Sequence, residues 1–378
     1  MTKSLDSTQR KPRYEIIYEE IKEKIVTQDY KVGDRIPSEK ELIDYYKVSR
    51  ITTKRALDQL VNDGMIERIP GKGSFVINKE NEGVLQAESS KGYLIGFVFP
   101  DFDESHVADL FKALNEATSQ CASSLVVKQT FGDVSLEKEA IASLLQLGVD
   151  GMMILPVSGE YFNEEVLKLT INKFPHVLID RYFKGIHTTS ICTDNINAAK
   201  EAVNYLFDLR HQQIAILSPP FKDISAIEDR VDGFIQAYAE RGVMVNKDIW
   251  LTDLTSELPT NKRNDELIDR DIQLIKGHLQ THPNITAIFA VHYNIAVLAR
   301  IAALELGLTV PRDLSIICFD SPKKSRDRFQ FTHVKQNQQE MGKKATEAIV
   351  SQIENKRYPE KTFLEAVLIE GESTVMRT

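Results

Sequence analysis

From Tyr93 onward the chain alternates short apolar runs with amphipathic helical stretches, and this rhythm limits the possible folds more than any other feature. The runs are Tyr93–Phe99, Leu125–Gln129, Gly151–Leu155, His176–Asp180, Thr189–Thr193, Gln213–Leu217, Thr286–Val291 and Leu314–Phe319. Most are continuously apolar, as expected of strands covered on both faces. Such strands separated by helices imply parallel sheets with helices on both sides. Residues 93–378 are too many for one sheet of this kind. The expected class is α/β, with this region forming two similar lobes of doubly wound parallel sheet.

The preceding region follows a different pattern. Tyr14, Ile17, Tyr18, Ile21 and Ile25 form one apolar stripe, which predicts a helix over 14–27. Ser38 followed by Glu41 is a capping box that opens a second helix, with Leu42, Ile43 and Tyr46 turned inward. A third helix starts after Val48 with Ser49 as its N-cap and stops near Gly64. Met65–Ile69 and Ser74–Ile77 flank Pro70-Gly71-Lys72-Gly73, which reads as a hairpin. Residues 14–77 are thus a winged helix-turn-helix, 1–13 a flexible N-terminus without a signal-peptide core, and 78–92 a polar linker.

The formal net charge is −8, but it is unevenly spread. Residues 1–80 hold 16 Lys+Arg against 14 Asp+Glu, while 81–378 hold 31 against 41. An acidic chain can still bind nucleic acid where its positive charge is local. On a helix advancing about 100° per residue, Thr53, Ala56, Leu57 and Leu60 face inward. Ile51, Lys54 and Arg55 then face outward, with Arg50 and Thr52 flanking at the first turn. Such a face suits a DNA major groove: Lys and Arg reach phosphates or guanine edges, and Thr or Ile suits a thymine methyl. Lys72, between two glycines that permit close backbone approach, suits the minor groove.

Three runs carry a family resemblance: Gly33-Asp34-Arg35-Ile36-Pro37-Ser38-Glu39-Lys40-Glu41-Leu42, Val48-Ser49-Arg50-Ile51-Thr52-Thr53-Lys54-Arg55-Ala56-Leu57, and Gly71-Lys72-Gly73-Ser74-Phe75-Val76. With this spacing, residues 14–77 resemble the DNA-binding head of the GntR regulators. The resemblance implies DNA contacts from Lys40, Ser49, Arg50, Thr52, Lys54 and the wing Gly71–Gly73; the outward face of the helix adds Arg55. Lys40 and Lys54 stand where the family has arginines, and a lysine donates as a point charge where arginine offers a fork.

The remainder resembles the LacI/GalR regulators and the periplasmic sugar-binding fold. The matching runs include Gly148-Val149-Asp150-Gly151, Val177-Leu178-Ile179-Asp180-Arg181, Thr193-Asp194-Asn195, Asp229-Arg230-Val231-Asp232-Gly233-Phe234, 311–320 and 332–336. A GntR-type head on such a body resembles the arabinose-repressor subgroup. The resemblance implies that Asp180, Arg181, Arg230 and Asp320 bind a small-molecule effector, and that Gln336, on a segment crossing between lobes, reaches it too. The residues themselves agree. Ligands of open α/β sheets sit beyond the carboxyl ends of strands, where 101–104, Asp180-Arg181 and Asp320-Ser321 fall. Asp and Arg bind polyol hydroxyls by charge-assisted hydrogen bonds. Phe102, Tyr182, Phe183 and Tyr293 are candidates to cover the apolar face of a sugar. Structural roles compete: Asp194 and Asp320 as helix N-caps, and Arg230 in an interlobe salt bridge.

One departure stands out, because the family commonly has Asn-Asp where this chain has His292-Tyr293. The hydroxyl pattern read there must differ, and a sugar phosphate, a uronate and a larger glycoside all remain open as effectors. Enzymes are disfavoured: no phosphate-binding loop, dinucleotide fingerprint, zinc-protease helix or nucleophile elbow occurs. His278 and His282 read as surface histidines, so no metal and no cofactor are expected. Cys121, Cys192 and Cys318 fit free thiols in a reducing cytoplasm, and no apolar window of about 18 residues exists to span a membrane. The expectation is a cytoplasmic, homodimeric repressor that binds palindromic double-stranded DNA and is released by a carbohydrate effector. A regulator of the same build that answers a non-sugar ligand, or that activates, is the alternative. Within the body, lobe 1 is placed at about 93–192 and 337–358, and lobe 2 at about 193–336 and 359–378.

Overall fold

A computed structural model describes residues 12–27, 29–31, 33–69, 73–76, 92–101, 105–157, 164–220, 222, 224–256, 265–321 and 329–377. The chain divides after Ser89 into two units. The first consists of α1 (Arg13–Val26), β1 (Arg35–Ile36), α2 (Glu39–Tyr46), α3 (Arg50–Asn62), β2 (Ile66–Ile69) and β3 (Gly73–Val76). Ile17 and Ile21 of α1 meet Leu57 and Leu60 of α3 in a core closed by Ile36, Leu42 and Val76. The capping box is present in both directions: Glu41 N donates to the Ser38 side chain, and Ser38 N to the Glu41 carboxylate at 2.7 Å. Ser49 likewise caps α3 by accepting from Thr52 N. The hairpin β2–β3 gains a third strand, β1, antiparallel to β3.

In the second unit β4 (Leu94–Phe99), β5 (Ser124–Gln129), β6 (Gly151–Ile154), β7 (His176–Ile179) and β8 (Ser190–Thr193) alternate with α4 (Ser105–Gln120), α5 (Val134–Leu147) and α6 (Glu164–Ile171). Next come α7 (Asn195–Asp208), β9 (Ile214–Leu217), α8 (Ser225–Glu240), α9 (Asp265–Thr281), β10 (Ala287–Ala290), α10 (Tyr293–Glu305) and β11 (Ser315–Phe319). The chain ends with β12 (Thr332–Lys335), α11 (Gln338–Ile353), β13 (Lys361–Leu364) and β14 (Val367–Ile369). Each apolar run expected to be a strand is one. β6 through β11 are buried at every position, which explains their unbroken hydrophobicity.

The strands form two sheets, ordered β13-β8-β7-β6-β4-β5 and β14-β12-β11-β10-β9. The first is parallel throughout; in the second only β14 runs antiparallel. One expectation needs correction. Segment 359–378 does not belong wholly to lobe 2, because β13 pairs in parallel with β8 and closes the edge of the lobe 1 sheet before β14 returns to lobe 2. The chain therefore crosses between lobes after β8, after β12 and after β13. Among the described residues, no helix is long and apolar enough to cross a membrane.

Two helix pairs pack closely enough to exclude a side chain. A Cβ on Gly342 of α11 would lie 2.6 Å from Ala113 Cβ on α4. A Cβ on Gly233 of α8 would lie 2.2 Å from the Ile196 carbonyl oxygen and 2.9 Å from Ala199 Cβ on α7. Gly277, in α9, has nothing within 4 Å of that position. Gly277 and Gly233 should therefore respond oppositely to alanine. Gly277→Ala should stabilise by about 0.5–1 kcal/mol, from helix propensity. Gly233→Ala should destabilise by about 1–3 kcal/mol, because backbone must shift. Thermal unfolding of the two variants checks this, and a Gly233→Ala protein as stable as wild type would contradict the close approach.

Candidate functional site

The head offers one exposed helical face. Arg50, Ile51, Lys54 and Arg55 are exposed on α3 while Thr53, Ala56, Leu57 and Leu60 are buried, and Lys40 is exposed on α2. Ser49 and Thr52 are joined through their hydroxyls at 2.8 Å as part of the α3 cap, which holds both at the helix start. The Arg50 side chain is 81% exposed, and its Nε donates to Glu39 Oε2 at 3.4 Å. The Arg55 guanidinium lies 4.0 Å over the Tyr14 ring, which turns it toward α1. Gly73 has a φ of +122°, and a Cβ there would meet Arg35 Nε at 2.8 Å, so this wing position requires glycine. Gly71, Lys72 and all of the linker except Gly92 lie outside the described residues.

Sequence reasoning missed Arg68. From β2, its Nη1 lies 3.0 Å from Asp58 Oδ1 on α3 and 3.8 Å from Glu39 Oε1 on α2. Its Nη2 donates to the Lys54 carbonyl at 3.5 Å. It ties the hairpin to both helices of the helix-turn-helix and offsets two carboxylates. A lone arginine in a short strand carries no signal of this; the role exists only once the three elements are packed.

In the body, each lobe ends a buried strand with an aspartate in a left-handed conformation: Asp180 after β7 at φ +67° and Asp320 after β11 at φ +58°. Non-glycine residues held this way cluster at binding sites. Asp180 is buried, and its Oδ1 has no hydrogen-bond partner. Arg181 donates from Nη1 to the carbonyls of Pro156 at 3.0 Å and Val157 at 2.9 Å, while its Nε, 3.9 Å from Asp180 Oδ2, is buried and has no hydrogen bond. Glu137 of α5, fully buried, accepts from Val157 N at 2.8 Å. Burial pushes its carboxyl up to about 7 against the opposing pull of that bond and the Arg181 charge.

On lobe 2, Gln336 Nε2 donates to Asp320 Oδ2 at 2.7 Å and Gln338 Nε2 to Oδ1 at 3.4 Å. Gln336 Oε1 accepts from Thr193 Oγ1 at 2.6 Å, joining two of the crossings. Asp320 is thus held by two glutamine amides, and Asp194 caps α7. Arg230 is 3% exposed; its Nε donates to Asn195 Oδ1 at 2.9 Å and its Nη1 to the Val291 carbonyl at 2.6 Å. Its guanidinium lies 3.8 Å over the Phe319 ring. These contacts are with elements of lobe 2, at the ends of β10 and β11. His292 is the N-cap residue of α10, and Tyr293 follows, edge-on to Phe331 at 5.9 Å.

Two aromatic expectations change. Phe183 is 1% exposed and packs with Leu178 and Ile154 inside lobe 1, so it covers no ligand. Tyr182 is committed to the lobe junction: its hydroxyl donates to Asp229 Oδ1 at 2.9 Å and its backbone N to Ser225 Oγ at 3.0 Å, both on α8. Burial, then the Asp229 charge, pushes the Tyr182 hydroxyl upward. Lys184 and Glu228 pair beside it at 2.7 Å. Phe102 lies outside the described residues.

Comparison with known proteins agrees with both halves. Residues 13–76 match the family model of bacterial regulatory proteins of the gntR family, and residues 203–374 match the periplasmic binding protein-like domain. The chain is 26% identical over 358 residues to an arabinose metabolism transcriptional repressor of Halalkalibacterium halodurans, covering 91% of this chain and 90% of that protein. A repressor of the same name from Geobacillus stearothermophilus is 25% identical, covering 91% of this chain and 92% of its own length. Among solved structures, the fold is similar to the regulator CcpA of Lactococcus lactis, at TM-score 0.66, 19% identity, 75% of this chain and all (100%) of that one. It is also similar to a CelR–cellobiose complex, at TM-score 0.64, 20% identity, 86% of this chain and 92% of that one.

The buried carboxyl gives a pH prediction. Glu137 is raised in the folded state from 4.5 to about 7, so its neutral form favours folding. That contribution is complete below the unfolded value and is lost as pH climbs through the folded one. Glu137→Gln keeps an acceptor for Val157 N and cannot ionise. Relative to wild type, the variant should gain on the order of 2–3 kcal/mol between about pH 5 and about pH 8. Denaturant unfolding at both pH values measures it; parallel pH profiles would exclude a titrating Glu137.

Proposed function

We propose that this chain, a GntR-type helix-turn-helix domain joined to a periplasmic-binding-protein-like domain, is a carbohydrate-responsive transcriptional repressor. The observation that carries the reading is the matched pair of strand-end aspartates, Asp180 and Asp320, with Arg181 beside the first and the buried Arg230 stacked on Phe319 before the second, and with Asp180 Oδ1 and Arg181 Nε lacking hydrogen bonds. Buried polar atoms without partners cost free energy, and sugar hydroxyls, which both donate and accept, satisfy them. The names of the relatives, repressors of arabinose and ribose genes, support the sugar class. In this reading Asp180 and Asp320 accept from effector hydroxyls, and Arg181 and Arg230 donate. His292 and Tyr293 line the lobe 2 side, and Gln336 holds Asp320 in place.

Lys40, Ser49, Arg50, Thr52, Lys54 and the glycine wing then hold operator DNA. Two copies of the chain occupy the halves of a palindrome whose spacing is a whole number of helical turns. The effector releases DNA only as far as it prefers one arrangement of the lobes over the other, a coupling of about 1–3 kcal/mol in typical regulators. The protein acts in the cytoplasm by binding and performs no catalysis.

A thermal-shift panel of pentoses, hexoses, disaccharides, uronates and sugar phosphates on the full chain tests the site. A ligand at about 100 times its Kd adds about 2.7 kcal/mol. Arg230→Ala should lose that shift yet bind operator, and Arg50→Ala should do the reverse. An Arg230→Ala protein that still responds fully to the effector would refute the site, and an Arg50→Ala protein with undiminished operator affinity would refute the DNA face.

A further inference from the structure

The reading face of α3 carries one large aliphatic side chain open to solvent. Ile51 is 80% exposed and borders a shallow depression shared with Lys54, Arg55, Asp58 and Gln59. A single exposed aliphatic residue is ordinary on a protein surface. Its surroundings are not. Positions 51, 54, 55 and 58 lie on one helical stripe, opposite the buried Thr53, Ala56, Leu57 and Leu60. Two charges beside Ile51 are already engaged: the Arg55 guanidinium rests on Tyr14, and Asp58 is paired with Arg68 at 3.0 Å. Arg50 and Lys54 remain exposed beside it and draw in the phosphate backbone. The patch is thus apolar at its centre and positive at its rim. In the major groove the apolar group on a base edge is the thymine C5-methyl.

We infer that Ile51 is a specificity-determining residue that packs against a thymine methyl in each operator half-site. The inference rests on the operator-binding reading above and refines it. It needs no rearrangement of the head, because Ile51 is presented on a capped helix and has little to lose in leaving water.

In vitro selection of random duplexes with the full chain yields the preferred DNA. Deoxyuridine then replaces each thymidine of that sequence in turn, which removes the methyl and leaves the base pair intact. At one position per half-site, wild type should bind the uracil duplex about threefold to fivefold more weakly, as expected for one lost methyl contact. Ile51→Ala should bind the thymine and uracil duplexes equally, and Ile51→Val should retain part of the difference. The residue is exposed and alanine favours helix, so the variants should fold; unchanged thermal unfolding verifies it. The inference is overturned if wild type ignores every methyl, or if Ile51→Ala shows the same methyl dependence. A selection that enriches no sequence would instead remove the operator-binding reading itself, and this inference with it.

Discussion

The body of this protein turns on a short chain of buried hydrogen bonds at the point where the backbone passes between its sheets. Thr193 ends β8, Gln336 follows β12 and Asp320 follows β11, and they are linked hydroxyl to amide to carboxylate at 2.6 and 2.7 Å. The carboxylate is acceptor-only, so the amide must present Nε2 to Asp320 and Oε1 to Thr193. Gln336 is 2% exposed, with both ends of its side chain used. Breaking one link would strand a buried polar group at about 1–3 kcal/mol. The same chain holds Asp320 in place and fastens two of the three crossings.

A second set of contacts also joins the two lobes. Tyr182 and Lys184, in the segment after β7, bond to Asp229 and Glu228 on α8. These two links are unequal. The Lys184 side chain is 50% exposed, and an ion pair in solvent contributes little, about 0–1 kcal/mol. The Tyr182–Asp229 bond involves an aspartate only 4% exposed and outweighs it. Its placement matters because Tyr182 follows Arg181 and Asp229 precedes Arg230. In the proposed site, a ligand that pulls on either arginine would also work on this bond.

Much of this was legible in the sequence, for a physical reason. A strand covered on both faces must be apolar throughout, so β6 to β11 announce themselves, and the capping residues Ser38, Glu41 and Ser49 mark helix starts wherever they occur. β13 and β14 do not, since edge strands with burial patterns exposed–intermediate–exposed–buried and exposed–intermediate–intermediate need no such run. In the site, the aspartates were visible because a strand end followed by Asp-Arg or Asp-Ser is a local pattern. Phe183 was misplaced because an aromatic beside a strand end can turn to the core or to a ligand, and only packing decides. Arg68 and Tyr182 act through residues distant in the chain, and no local pattern encodes such pairings.

The electrostatics of the head follow from the acidity of the rest. Residues 81–378 carry 31 basic against 41 acidic side chains, so in the proposed operator complex long-range attraction to DNA would be weak and binding would depend on short-range contacts within a Debye length of about 8–10 Å. Two carboxylates, Glu39 and Asp58, sit close to that face, and uncompensated they would repel phosphate. Arg68 offsets both while remaining 32% exposed, and Glu39 in turn steadies Arg50. Lysines at 40 and 54 would keep phosphate attraction in that complex and give up forked recognition of guanine at both positions. If this face binds operator DNA as proposed, discrimination between sequences would rest on Arg50, Thr52 and the apolar Ile51, and the lysines would supply salt-sensitive affinity that is blind to sequence.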